Sequence, residues 1–176
     1  MGFRVIDELA RRFSVQHWKN KHGARQAFLP QERLLLIQPT SFMNASGVPI
    51  RIIASWYRVP PESILVVSDD LDLPFGRLRM RAQGGHGGHN GLRSVIGVLG
   101  DGFPRLRLGV GRPPGDSIEH VLAPFTTQEK AVLPEMLRAG AEGARLWLDH
   151  GIERAMQFVN SWMSPVTDLT GDGAQQ

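Results

Sequence analysis

Apolar residues recur at helical spacing from the first residues of the chain. Val5, Ile6, Leu9, Ala10 and Phe13 predict an amphipathic helix that must pack on something. Two extended runs come next, 24–29 and 34–38, joined by the turn Pro30-Gln31-Glu32. Pro39-Thr40-Ser41-Phe42-Met43-Asn44 reads as a strand exit. Ala45–Tyr57 reads as a helix with Ile50, Ile53, Ala54 and Tyr57 inward, and Pro49 fits its first turn, where a missing N–H is harmless. Pro60-Pro61-Glu62-Ser63 stops that element. Ile64-Leu65-Val66-Val67 predicts a short strand buried on both faces, ending in Ser68-Asp69-Asp70-Leu71-Asp72. Leu78 and Met80 alternate with Arg79 and Arg81, which predicts a half-exposed strand with arginines on its open face.

A helix carrying Leu92, Val95, Ile96 and Leu99 comes next, then a strand over 106–111 and a loop over 112–116. Two helices, Thr127–His150 and Ile152–Trp162, close the pattern, separated at Asp149-His150-Gly151. From Ser164 onward the composition is that of a frayed tail. No internal repeat is visible. Strands interleaved with helices predict an α/β fold in which one mixed sheet is covered by helices. The expected domain spans 1–163, with a disordered tail at 164–176.

The length of 176 residues fits one such domain. The absence of cysteine excludes disulfides, thiolate metal sites and cysteine nucleophiles. No apolar run reaches the roughly 18 residues of a membrane span, and Met1 to Phe13 mixes charged and apolar positions unlike a signal peptide. The chain reads as soluble and cytoplasmic. Its net charge is only +3, but the charge is uneven. From Arg77 to Arg112 there are seven arginines and one acid, Asp101. Such a field suits a phosphate backbone; a solvated basic face with acids elsewhere in space is the plainer alternative.

The densest signal is Gly84-Gly85-His86-Gly87-Gly88-His89-Asn90-Gly91, five glycines in eight residues. Glycine at this density suggests close approach of another molecule. It is not a P-loop, lacking the lysine and Ser/Thr ending, and the spacing fails as a dinucleotide fingerprint. His86 and His89 offer two ligands, fewer than a zinc site needs, so no metal is expected. Asp69, past a buried strand, can orient a histidine and stabilise its charged form, or can serve as a turn former with Asp70 and Asp72. Asn44 and Asn90 carry amides that cannot titrate; they suit reading a peptide group, holding a water, or capping the helices that come after them. Phe42 and Met43 offer an apolar wall or ordinary core.

These stretches together resemble the bacterial-type peptidyl-tRNA hydrolase family. The matching segments are Gln38 to Gly47, Ser68 to Pro74, Gly84 to Leu92 and Arg105-Leu106-Arg107-Leu108-Gly109-Val110-Gly111, in family order, within a similarity covering roughly Gly2 to Asn160. The resemblance implies hydrolysis of the ester joining a peptide to the 3′ end of tRNA, without a metal or cofactor, by a monomer with no obligate protein partner. It implies a three-layer α/β/α fold around a twisted mixed sheet. It also assigns roles. Asp69 would orient the catalytic histidine. Asn44 and Phe42 would contact the peptide and terminal adenosine, Met43 would line the peptide channel, and Asn90 would hold substrate or the attacking water. His89 would shape the site, and Arg79, Arg81 and Arg107 would face tRNA phosphates, for which the guanidinium fork is suited.

One departure matters. The family carries a strand, a Gly-Asn-Pro-Gly loop and a Thr-Arg-His-Asn segment ahead of its first helix, and that segment holds the general-base histidine. Here Gly2-Phe3-Arg4-Val5-Ile6 matches the family's next stretch, on the C-terminal side of that segment. His17, His22, His120 and His150 do not match the missing motif, and His89 matches another position. The expectation is that Met1 is an internal start, that the first strand and the base are absent from residues 1–176, and that these residues alone are catalytically impaired. The rival expectation is a non-catalytic tRNA- or RNA-binding protein on the same fold.

Overall fold

The computed structural model describes residues 1–112 and 124–164. Most of the loop expected at 112–116 and of the tail expected at 164–176 lies outside them. Ser164 is described, and it is buried.

The first helix, α1 (Gly2–Arg12), buries Gly2, Val5, Leu9 and Ala10 and carries Arg11 and Arg12 in its last turn, where cations favour the helix dipole. Its start lies against the sheet: a Cβ on Gly2 would stand 2.2 Å from the carbonyl oxygen of Val67. Glycine there lets α1 begin directly over the strand that carries Asp69.

Strands β1 (Lys19–Lys21), β2 (Ala24–Leu29) and β3 (Leu34–Pro39) form an antiparallel sheet in that order. A second sheet has the order β4 (Val66–Asp70), β6 (Arg105–Gly109), β5 (Leu78–Arg81), with β4 parallel and β5 antiparallel to β6. The α/β class is as expected, but the strands divide into two sheets rather than one. No ladder joins β3 to β4; α1 packs against both. The Gln38 amide on β3 donates to Phe3 O at 3.1 Å and to Asp7 Oδ1 at 2.9 Å, so β3 is tied to α1. Short β1 has no apolar alternation, so the pattern gives no sign of it.

Helix α1, the long α4 (Thr127–His150) and α5 (Ile152–Ser161) cover one side. Their core includes Val5, Leu9, Met80, Leu106, Leu108, Met136 and Val159. A Thr126–Glu129 capping box starts α4, and Gly151 separates it from α5. The edge of β5 is not left open: Asn160 of α5 accepts from Met80 N at 2.8 Å and donates to Met80 O at 3.2 Å. Helices α2 (Gly47–Tyr57) and α3 (Asn90–Leu99) pack together over a second cluster, Leu92, Val95 and Phe103, with Val66 at its margin. This is the three-layer arrangement. Within α2, Ile53 and Ala54 are buried as expected, whereas Tyr57 is exposed and stacks on Phe28 at 6.0 Å.

Candidate active site

Strand alternation sends neighbouring carboxylates of β4 to different partners. Asp69 does not come after the strand; it lies within it, because β4 runs on to Asp70 in register with Gly109. Pairing with β6 carries the ladder three residues past Val67, where the sequence suggests that the strand ends. Asp70 accepts from Arg107 Nη1 at 2.8 Å and from the Asp72 amide at 2.8 Å. Asp69 turns toward the start of α1 and toward α3. Its Oδ1 lies 3.7 Å from the Met1 nitrogen and 3.8 Å from His89 Nε2. Burial raises the Asp69 pKa, but His89 and the Met1 ammonium outweigh that and hold it at about 2.

His89 is the N-cap of α3, and its Nδ1 accepts the Leu92 amide at 3.1 Å. That bond assigns the neutral ring's proton to Nε2, the nitrogen facing Asp69. Asn90 is therefore not the cap. It opens α3 as an exposed residue, with Oδ1 accepting from Arg93 at 3.3 Å. Asn44 is not a cap either: the N-cap of α2 is Ser46, and Asn44 is exposed within a 3-10 turn, Met43–Ala45. That turn packs on α3 and replaces the expected strand exit. A Cβ on Gly91 would lie 2.7 Å from Met43 Sδ and 2.8 Å from His89 Cε1, so Met43 and His89 meet over that glycine. Phe42 and Met43 are not core; Phe42 is 86 % exposed and Met43 55 %.

The arginine face is built by β5 and β6. Arg79 and Arg81 are exposed, and neither guanidinium has an ion-pair or hydrogen-bond partner among the described residues. A hollow of about 340 Å³ is lined by Arg79, Arg81, Gln83, Gly84, Arg105 and Arg107. Arg107 is already engaged, by Asp70 and by Gly85 O at 2.6 Å. At Gly87, with φ +55°, a Cβ would stand 2.7 Å from Arg107 Nη1. Part of the glycine density thus serves this chain's own arginine. Among the described residues, no group of three or more His, Asp or Glu side chains is placed to hold a metal.

The sequence model of the peptidyl-tRNA hydrolase family matches residues 1–167. The chain belongs to the peptidyl-tRNA hydrolase family. The peptidyl-tRNA hydrolase of Syntrophomonas wolfei is 40 % identical over 163 residues, covering 91 % of this chain and 89 % of that protein. The peptidyl-tRNA hydrolase of Synechococcus sp. strain JA-3-3Ab is 45 % identical over 167 residues, covering 90 % and 73 %. A crystal structure of a peptidyl-tRNA hydrolase mutant from Acinetobacter baumannii superposes with a TM-score of 0.84 at 29 % identity, covering 92 % of this chain and 85 % of that one.

In this peptidyl-tRNA hydrolase fold, Asp69, His89 and Met43 come together around the start of α3, with Asn44 on the 3-10 turn that packs there and Asn90 opening the helix. Arg79, Arg81 and Arg107 share a different surface, the open face of β5 and β6. Sequence reasoning does not single out Arg105, which is 1 % exposed. Burial, together with the neighbouring Arg107, pulls its pKa below the ordinary arginine value. A signal is nevertheless present: in Arg105-Leu106-Arg107 a period of two puts both arginines on one face.

Proposed function

We propose that this chain acts on peptidyl-tRNA in the cytoplasm as a monomer, hydrolysing the ester between the peptide and the 3′ end of the tRNA. The observation that carries this reading is the approach of Asp69 to His89 beside exposed Phe42 and Met43, in a member of this family. Water at neutral pH is a poor nucleophile, and a well-placed base is worth about 10²–10⁴-fold. Burial raises the Asp69 pKa but the His89 side chain lowers it, so Asp69 is a weak base and is assigned the task of orienting and stabilising a charged histidine. His89 is not assigned as the base: Nδ1 is engaged by Leu92, and Nε2 faces Asp69.

The resemblance assigns the base to the family's Thr-Arg-His-Asn segment, which residues 1–176 do not contain. The Met1 nitrogen stands 3.7 Å from Asp69 Oδ1, so the start of α1 lies against that carboxylate. The amides of Asn44 and Asn90 then place the peptide group and the water. Phe42 and Met43 supply an apolar wall, and Arg79 and Arg81, with Arg107 at the rim, meet phosphates.

The test is release of a blocked amino acid from aminoacyl-tRNA by residues 1–176 and by a version extended with the family's first strand and Thr-Arg-His-Asn segment, each first shown to be folded. Turnover is expected in the extended form, with a loss of about 10²–10⁴-fold on Asp69→Asn. Salt-dependent tRNA binding without turnover in either form would replace this reading with a non-catalytic RNA-binding one.

A further inference from the structure

Arg105 is a buried cation whose hydrogen bonds all run to backbone carbonyls. Nε donates to Phe103 O at 3.3 Å, and Nη2 donates to Phe103 O at 2.9 Å and Asp101 O at 2.8 Å. Nη1 donates to Gly84 O and, at 3.3 Å, to Gly85 O. The guanidinium also lies 4.2 Å from the centre of the Phe103 ring, a cation–π distance. These acceptors fall into two groups. Gly84 and Gly85 belong to the loop that leads into α3, and Asp101 and Phe103 to the segment that leads out of it. One side chain therefore ties the chain on both sides of the helix whose N-cap is His89.

Burying a charge is costly, and apolar residues of similar volume commonly serve stability as well or better. Arg105 does something that such a residue cannot. Its planar fork satisfies four carbonyls in fixed directions, whereas a lysine ammonium has three donors at one point. Within the loop itself the hydrogen bonds are few: Gly88 N to His86 Nδ1 and His89 N to His86 O, each at 3.0 Å. Gly84 and Gly85 carry no side chain that could anchor them, and the carbonyls of both accept from β6 arginines.

We propose that Arg105 is a positioning residue: by holding Gly84 and Gly85 against Asp101 and Phe103, it sets where His89 and Asn90 stand relative to Asp69. The link to turnover rests on the hydrolase reading; the positioning itself is read in the free protein.

The decisive measurements use residues 1–176 with Arg105→Lys and Arg105→Met. Amide exchange at Gly84–Gly88 and His89 is expected to accelerate about tenfold or more in both variants, while β4 and β6 amides keep their protection. The imidazole resonances of His89 should shift in both, reporting a changed approach to Asp69. Wild-type exchange and unshifted His89 resonances in either folded variant would overturn the proposal, since charge or bulk alone would then suffice. Should neither variant fold, ¹⁵N-arginine NMR of the unaltered chain decides. Slow rotation and slow exchange of the Arg105 guanidinium are expected, and a freely rotating group would overturn the proposal. In the extended, active form, Arg105→Lys should lower kcat about tenfold with KM little changed, because a misplaced catalytic group costs rate. If no form turns over, the hydrolase reading fails while the exchange and resonance data still judge the positioning role.

Discussion

The two faces of the β5–β6 pair obey the same alternation and do opposite things. On one face Leu78, Met80, Leu106 and Leu108 are at most 4 % exposed and join the core under α4 and α5. On the other stand Arg79, Arg81, Arg105 and Arg107, two exposed and two engaged with the glycine loop or with Asp70. The apolar face gains free energy by removing surface from water and is indifferent to direction. The arginine face contributes direction: its fork-shaped donors select carbonyls, a carboxylate and open solvent at defined places. Stability and site geometry can therefore be perturbed separately on a single pair of strands.

The largest break comes from the apolar face. Leu108→Ala, at a fully buried position, should destabilise the fold by about 2–5 kcal/mol in urea titration. At a temperature where the variant stays folded, tRNA affinity should be unchanged; a loss of affinity there would mean that the two faces are not separable.

Next in size is acid sensitivity. Asp69 has a folded pKa of about 2, below its ordinary value of 3.8. A depressed carboxylate contributes stability above its unfolded pKa and loses it as pH falls through the folded one. The Asp69 contribution should be complete above about pH 5 and disappear between about pH 4 and 2. Glu8 is also held at about 2, chiefly by Arg11, and loses its contribution in the same window. The readout is therefore the difference in urea midpoint between wild type and Asp69→Asn across that range. A difference independent of pH would remove the charge from the account of Asp69.

Smaller still is the effect of clearing the exposed arginines. Arg79→Ala combined with Arg81→Ala should leave the urea midpoint nearly unchanged. It should flatten the salt dependence of tRNA binding, reducing the log–log slope by about 1.5–2 if each arginine meets one phosphate. An unchanged slope would move the phosphate contacts elsewhere. The smallest effect belongs to Arg112 and Asp72, a pair at 2.5 Å that is more than half exposed on both sides. Arg112→Ala should not shift the melting temperature measurably, because water and salt screen such a pair.

Much of this molecule is legible in one dimension. The helix of Val5 and Leu9, the two arginine-bearing strands and the break at Gly151 all come from spacing and local chemistry, and the structure has them close to where the pattern puts them. Local readings fail where partners decide. Three polar residues after Val67 put Asp69 past its strand, yet pairing with β6 extends the ladder through Asp70. Of the readings open for Asn44 and Asn90, capping falls instead to Ser46 and His89.

What the sequence determined by itself was periodicity: which residues share a face, where helices stop, and that the glycine loop, the aspartates and the arginines lie in family order. Tertiary structure alone decided that β3 binds a helix rather than β4, that Asp69 and His89 stand 3.8 Å apart, and that Arg105 commits its charge to carbonyls. The physical reason is range. A face is set by backbone geometry within a few residues, whereas the partners of a buried charge include chain that is distant in sequence, as Gly84 and Gly85 are for Arg105.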